Sequence, residues 1–188
     1  MQMLPNGLVN ALMAPGSIDQ AIKSYILAAK YTIQNDKTIA GTNYYHDVDS
    51  SGQTEIKFFT GNYVSSETNV PGNSFVRPQS EHQIIYGIRF FNGDNSQPGI
   101  TDWIPGASAW LKNCVMTITS NNVVMIKDFP ITEALGDLTV RDDGVIPFQV
   151  PFIWGGQETL IITVTNKNGV AAPINAGVRA SLQAVGLI

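Results

Sequence analysis

The sequence predicts an all-β protein, an antiparallel two-sheet sandwich of about eight strands, on three observations. Apolar and polar residues alternate in Glu81–Phe91 (EHQIIYGIRFF), Asn113–Thr119 (NCVMTIT), Thr159–Thr165 (TLIITVT) and Gly177–Val185 (GVRASLQAV). That is the period of a half-buried strand, because successive side chains leave opposite faces of a sheet. Residue types that tolerate positive φ fall at Asn92-Gly93, Asn121-Asn122, Asp143-Gly144 and Asn168-Gly169, where hairpin turns are expected. Finally, no helical crossover separates the later strands, which argues against a parallel α/β sheet.

In chain order, residues 1–37 form an N-terminal arm. Ser17 precedes Ile18, Ala21, Ile22, Tyr25, Ile26 and Ala29 at helical spacing, and Ser17 with Gln20 fits an S-x-x-Q capping box. The spacing predicts a helix over Ile18–Ala29, while the β-formers of Tyr25–Ile33 also fit an extended arm. Residues 38–188 form the sandwich. Its strands are expected near Glu55–Phe59, Glu81–Phe91, Leu111–Thr119, Val123–Lys127, Leu138–Arg141, Ile146–Val150, Thr159–Thr165 and Gly177–Val185. Eight is the strand number of a jelly roll. Alternation places His82, Ile84, Tyr86, Ile88 and Phe90 on a core face, with Glu81, Gln83, Gly87 and Arg89 opposite. It likewise turns Cys114, Met116 and Ile118, then Leu160, Ile162 and Val164, then Val178, Ala180 and Leu182 to one side. Ser65–Val76 and Asn92–Ser108 read as long loops, where contacts with partners or ligands concentrate.

The 188 residues carry a formal net charge of −4, and no cluster of Lys and Arg offers the footprint that nucleic-acid phosphates demand. Charged residues are only 14%, against about 25% in typical soluble domains. Burial of surface against other subunits gives this depletion, as does a neutral surface rich in Asn, Ser, Thr, Gln and Gly. The single cysteine, Cys114, excludes an intrachain disulfide and reads as a small buried hydrophobe. The opening MQMLPNGLVNALMAPGS has no basic n-region and is broken by Pro5 and Gly7, so neither a signal peptide nor a membrane-spanning helix is expected.

Motifs for chemistry are sparse. Asp47-Val48-Asp49-Ser50-Ser51-Gly52 matches the opening of an EF-hand-type loop, with Asp47, Asp49 and Glu55 at ligand positions for calcium, but Phe58 stands where the bidentate carboxylate belongs. The same residues make an ordinary turn. His46 and His82 lack metal-ligand spacing, His46 reading as a surface-loop residue and His82 as a core or rim residue. Gly106-Ala107-Ser108-Ala109-Trp110 lacks the second glycine of a nucleophile elbow, Gly155-Gly156 precedes a strand rather than a helix, and Asp142-Asp143 sits in a turn. No catalytic residue and no cofactor is expected, and the chain does not read as an enzyme. Trp103 and Trp110 flank a Pro/Gly-containing loop and are the candidate interaction residues, for a glycan ring or a neighbouring subunit.

Four pieces, QSEHQIIYGIRFF, WLKNCVMTITSNNVVMIKDFPIT, VPFIWGGQETLIITVTN and NAGVRASLQAVGLI, look like an opening strand, a hairpin with a Phe-Pro-Ile step, a Pro-entered strand and a closing strand. Over Gln79–Ile188 the chain thereby resembles the jelly-roll structural proteins of bacteriophage virions. The resemblance implies a capsid, vertex, decoration or spike subunit, assembling with itself and other virion proteins in the host cytoplasm. It implies no catalytic residues, while charge and hydropathy speak against direct contact with nucleic acid or membrane. A carbohydrate- or receptor-binding β-sandwich, using Trp103 and Trp110, with calcium at Asp47, Asp49 and Glu55 as a further candidate, is the alternative.

Overall fold

The computed structural model describes residues 39–61, 66–70, 75–76, 83–94, 103–105, 108–131 and 145–187. The arm over residues 1–37 with its Ile18–Ala29 helix, the strand at Leu138–Arg141, the Asp142–Gly144 turn and His82 lie outside them.

The described residues form nine antiparallel strands: β1 Ile39–Asp49, β2 Glu55–Phe58, β3 Gln83–Asp94, β4 Ile104–Pro105, β5 Cys114–Ser120, β6 Val123–Pro130, β7 Ile146–Trp154, β8 Leu160–Asn166 and β9 Ala176–Leu187. One sheet runs β1-β9-β3-β4, with β7 also paired to β3, and the other runs β2-β8-β5-β6. The two pack face to face as a sandwich. Tyr44, Phe58, Ile88, Phe90, Met116, Ile118, Ile162, Val164, Ala180 and Leu182 meet in one core, and rings cross it, Phe58 of β2 lying 6.2 Å from Phe90 of β3. The burial of these side chains is the main favourable term holding the sheets together.

The alternation read from the sequence holds in β5 and β8, where every second residue is buried, and in β9, whose Val178, Ala180 and Leu182 face the core. It fails once. Between Ile85 and Gly87 the β3 ladders shift register against both β7 and β9. A β-bulge adds a residue and reverses the facing of everything before it. Ile88 and Phe90 therefore fill the core as expected, but ahead of the bulge Ile85 joins them in place of Ile84.

The turns divide similarly. Asn121 and Asn122 take positive φ and close the β5–β6 hairpin, and Gly169 takes positive φ after β8. Asn92-Gly93 makes no turn: both stay in β3, opposite Val178 and Gly177 of β9. Pairing of eleven β3 residues with β9 outweighs the local preference of the dipeptide. The segment read as loop also holds β4, which pairs with Phe91 and Asn92. The longest correction is β1, eleven residues in register with β9 from Ile39↔Leu187 to Asp49↔Gly177.

Candidate functional site

Because β1 continues to Asp49, the proposed calcium residues are divided between two strands, Asp47 and Asp49 on β1 and Glu55 on β2. Asp47 points to the outer face of the five-stranded sheet, directly opposite Arg179 of β9. Arg179 Nε and Nη2 donate to its two carboxylate oxygens at 2.6 and 2.8 Å. Asp49 Oδ1 accepts from the Ser51 N–H at 2.9 Å, an Asx turn that leads into Gly52 at φ +68°. Glu55 on β2 pairs with Lys57 at 3.2 Å and accepts from the Thr165 hydroxyl at 3.2 Å. Among the described residues no group of three or more His, Cys, Asp and Glu is arranged to hold a metal ion.

The two tryptophans of the expected interaction loop part company. Trp110 is buried in the core, its indole N–H donating to the Val170 carbonyl at 2.7 Å. Trp103, half-buried, lies on the outer face over the Arg179 guanidinium, 4.6 Å from ring centroid to cation. The Tyr45 ring takes the other contact at 4.1 Å. Arg179 is thus held by one carboxylate and two aromatic faces, an arrangement suited to a planar, weakly hydrated cation. Trp154 is fully buried.

His46 also departs from expectation. It is buried on the inner face of β1 among Phe58, Phe59 and Phe75, the nearest ring centroid at 4.6 Å. Its Nδ1 accepts the Phe59 N–H at 2.8 Å, and Phe59 sits at φ +59°. Burial pulls the His46 pKa down to about 4, with Glu67 opposing, so at neutral pH the ring is uncharged with its proton on Nε2. The geometry suits a structural acceptor rather than a base, since the only basic nitrogen is occupied. Cys114 is buried, a free thiol raised to about 11 by burial, which suppresses the nucleophilic thiolate.

A concavity adjoins these elements. A depression of ≈270 Å³ opens between the β5 entry and the β8–β9 connection, lined by Trp110, Asn113, Asn166, Asn168, Val170 and Pro173. Asn166 is buried there, its Oδ1 accepting from the Asn168 and Val170 N–H groups.

No family model matches the chain, and no curated protein or solved structure is similar to it.

The residues that sequence reasoning missed are Arg179 and Tyr45. Alternation in β9 already put Arg179 on the face opposite Val178 and Ala180. Recognising its partners required β1, whose outer face is polar and whose inner face mixes Tyr44, His46 and Val48.

Proposed function

We propose that the chain is a structural subunit of a bacteriophage virion, a capsid, vertex, decoration or spike protein with a jelly-roll fold, assembling with copies of itself and with other virion proteins. The strand pairing carries the reading. With two-residue β4 set aside, the first strand pairs with the last, β1–β9, the second with the next to last, β2–β8, and so inward through β3–β7 to the β5–β6 hairpin. Such nesting describes one long antiparallel hairpin. Laying β9 beside β3 and β8 beside β5 rolls its legs into two sheets, the layout of jelly rolls, common in viral capsids. The low charge content supports burial of surface between subunits. The reading assigns the chain no catalytic step, no cofactor and no nucleic acid, and places it in the virion after assembly in the host cytoplasm.

Electron microscopy of the purified, concentrated protein tests this. Closed oligomers of defined symmetry are expected, and particles of single-chain size at every concentration would overturn the reading.

The depression beside Trp110 favours a second reading, a glycan- or receptor-binding sandwich, because amide side chains beside apolar Val170 and Pro173 suit the mixed surface of a sugar. Binding on a glycan array that Asn113→Ala and Asn168→Ala abolish is the outcome that reading requires.

A further inference from the structure

We propose that β6 is the self-association edge of this protein, pairing antiparallel with β6 of a second copy about a twofold axis at Met125. The inference rests on the reading of the chain as a self-assembling subunit and names the surface that does it.

An edge strand offers a row of backbone donors and acceptors to any other chain, and proteins blunt such edges unless they use them. Three edges here are blunted. Along the outer side of β1 runs segment 66–70: the Asp47 N–H donates to the Glu67 carbonyl, the Tyr45 N–H to Asn69 Oδ1, and Asn69 Nδ2 to the Asn43 carbonyl. β2 is only four residues long. β7 carries Pro147 and Pro151, which lack a donor and keep other strands off.

β6 has none of these devices over its first half. Among the described residues it pairs with β5 alone, and it spans eight residues. A register shift between Ile118 and Thr119 sets two β6 residues against one of β5. The bulge explains why three consecutive apolar residues, Val123, Val124 and Met125, are exposed at 61%, 53% and 43%.

A second copy fits this edge better than a foreign strand does, because the block is self-complementary. The sequence Asn121-Asn122-Val123-Val124-Met125-Ile126-Lys127-Asp128 is apolar at its centre and polar at both ends. Turned on itself about the chosen axis, it sets Met125 against its own copy and Val124 against Ile126. Lys127 then faces Val123, so no like charges oppose each other, and the turn residues Asn121 and Asn122, at positive φ, stay outside the pairing. Both partners present the same patch, so the contact closes at two chains and does not propagate as a filament.

Mass by light scattering, read across concentration, tests this on the full chain with Val124→Lys, Met125→Lys and Ile174→Lys. Ile174, 84% exposed on the β8–β9 connection, is the control for loss of an exposed apolar residue elsewhere. The expected result is that wild type and Ile174→Lys form dimers or larger species, while both β6 variants fall toward the 20.4 kDa of one chain with unchanged circular dichroism. Wild type that stays associated with both folded β6 variants equally associated overturns the β6 interface and leaves the assembly reading standing. Wild type that is one chain even at millimolar concentration overturns both.

Discussion

His46 and Asp47 are neighbours on β1, and the strand sends one into the core and the other to the outer face. Both are polar and largely withdrawn from water, and each meets the cost of burial differently. His46 discards its charge and keeps one hydrogen bond, from the Phe59 N–H. Asp47 keeps a charged partner, Arg179, in a pair whose side chains remain 14% and 23% exposed. At the inner site burial makes a proton costly, whereas at the outer one burial of the carboxylate outweighs the pull of Arg179 and favours a proton. The two faces of one strand should therefore respond with opposite sign to acid.

The largest effect is expected from His46. Its pKa near 4 in the folded chain lies below the ordinary value of about 6.5 that it regains on unfolding. Between these values the unfolded chain binds the proton and the folded chain does not. Stability is thus complete above about pH 6.5, falls as pH is lowered, and has lost about 3 kcal/mol from this group by pH 4. Urea unfolding at intervals across that window measures it. Asp47 moves the other way: burial, aided by Glu67, lifts its carboxyl above the ordinary value against the pull of Arg179. The folded chain then binds that proton more tightly than the unfolded one, so Asp47 adds stability once the pH falls through its range.

Replacing His46 by Phe isolates the inner term. The ring volume is kept among Phe58, Phe59 and Phe75, but the Phe59 N–H loses its acceptor inside the core, a loss of about 1–3 kcal/mol. His46→Phe is therefore less stable at pH 7 and flatter between pH 6.5 and 4 than wild type. A variant that keeps the full acid slope would show that another group is responsible.

The contrast also accounts for what could be read from the sequence. β5, β8 and β9 were legible because each is buried on one face only, which prints period two into the residues. β1 was not, since His46 on its inner face and Gly41, Thr42 and Asn43 near its start dilute that period. It is defined by its partner β9 and by segment 66–70, contacts between residues more than a hundred positions apart or across a loop. The D-x-D-x-S-G pattern marked a real turn at Ser50–Gly52, yet its first aspartate belongs to the strand and to Arg179. Trp103 and Trp110 were legible as a pair only by proximity in sequence. The chain between them enters β4 and then the turn before β5, so one ring reaches the outer face and the other the core.

A smaller effect is expected on the outer face. Desolvation offsets much of what Asp47 and Arg179 gain from each other, as the raised carboxyl shows, so breaking the pair falls well short of the 3–5 kcal/mol lost from fully buried pairs. In a double-mutant cycle of Asp47→Asn with Arg179→Met, a coupling of about 1 kcal/mol is expected. A coupling as large as the His46→Phe loss would erase the distinction between the two faces.

The smallest effect separates the rings from the charges. Trp103 contributes its face to Arg179, and its indole N–H is buried with no hydrogen-bond partner among the described residues. Trp103→Ala should lose the cation–π contact, about 0.5–1 kcal/mol, plus the apolar area the ring covers. Trp103→Phe keeps a face over the guanidinium and removes a donor that has no partner among the described residues, so its stability should match wild type within about 0.5 kcal/mol. The order Ala below Phe, with Phe level with wild type, follows only if stacking holds Trp103 in place. If Phe fell as far as Ala, the indole nitrogen would be making a bond of its own, and the outer face would rest on hydrogen bonding as the inner one does.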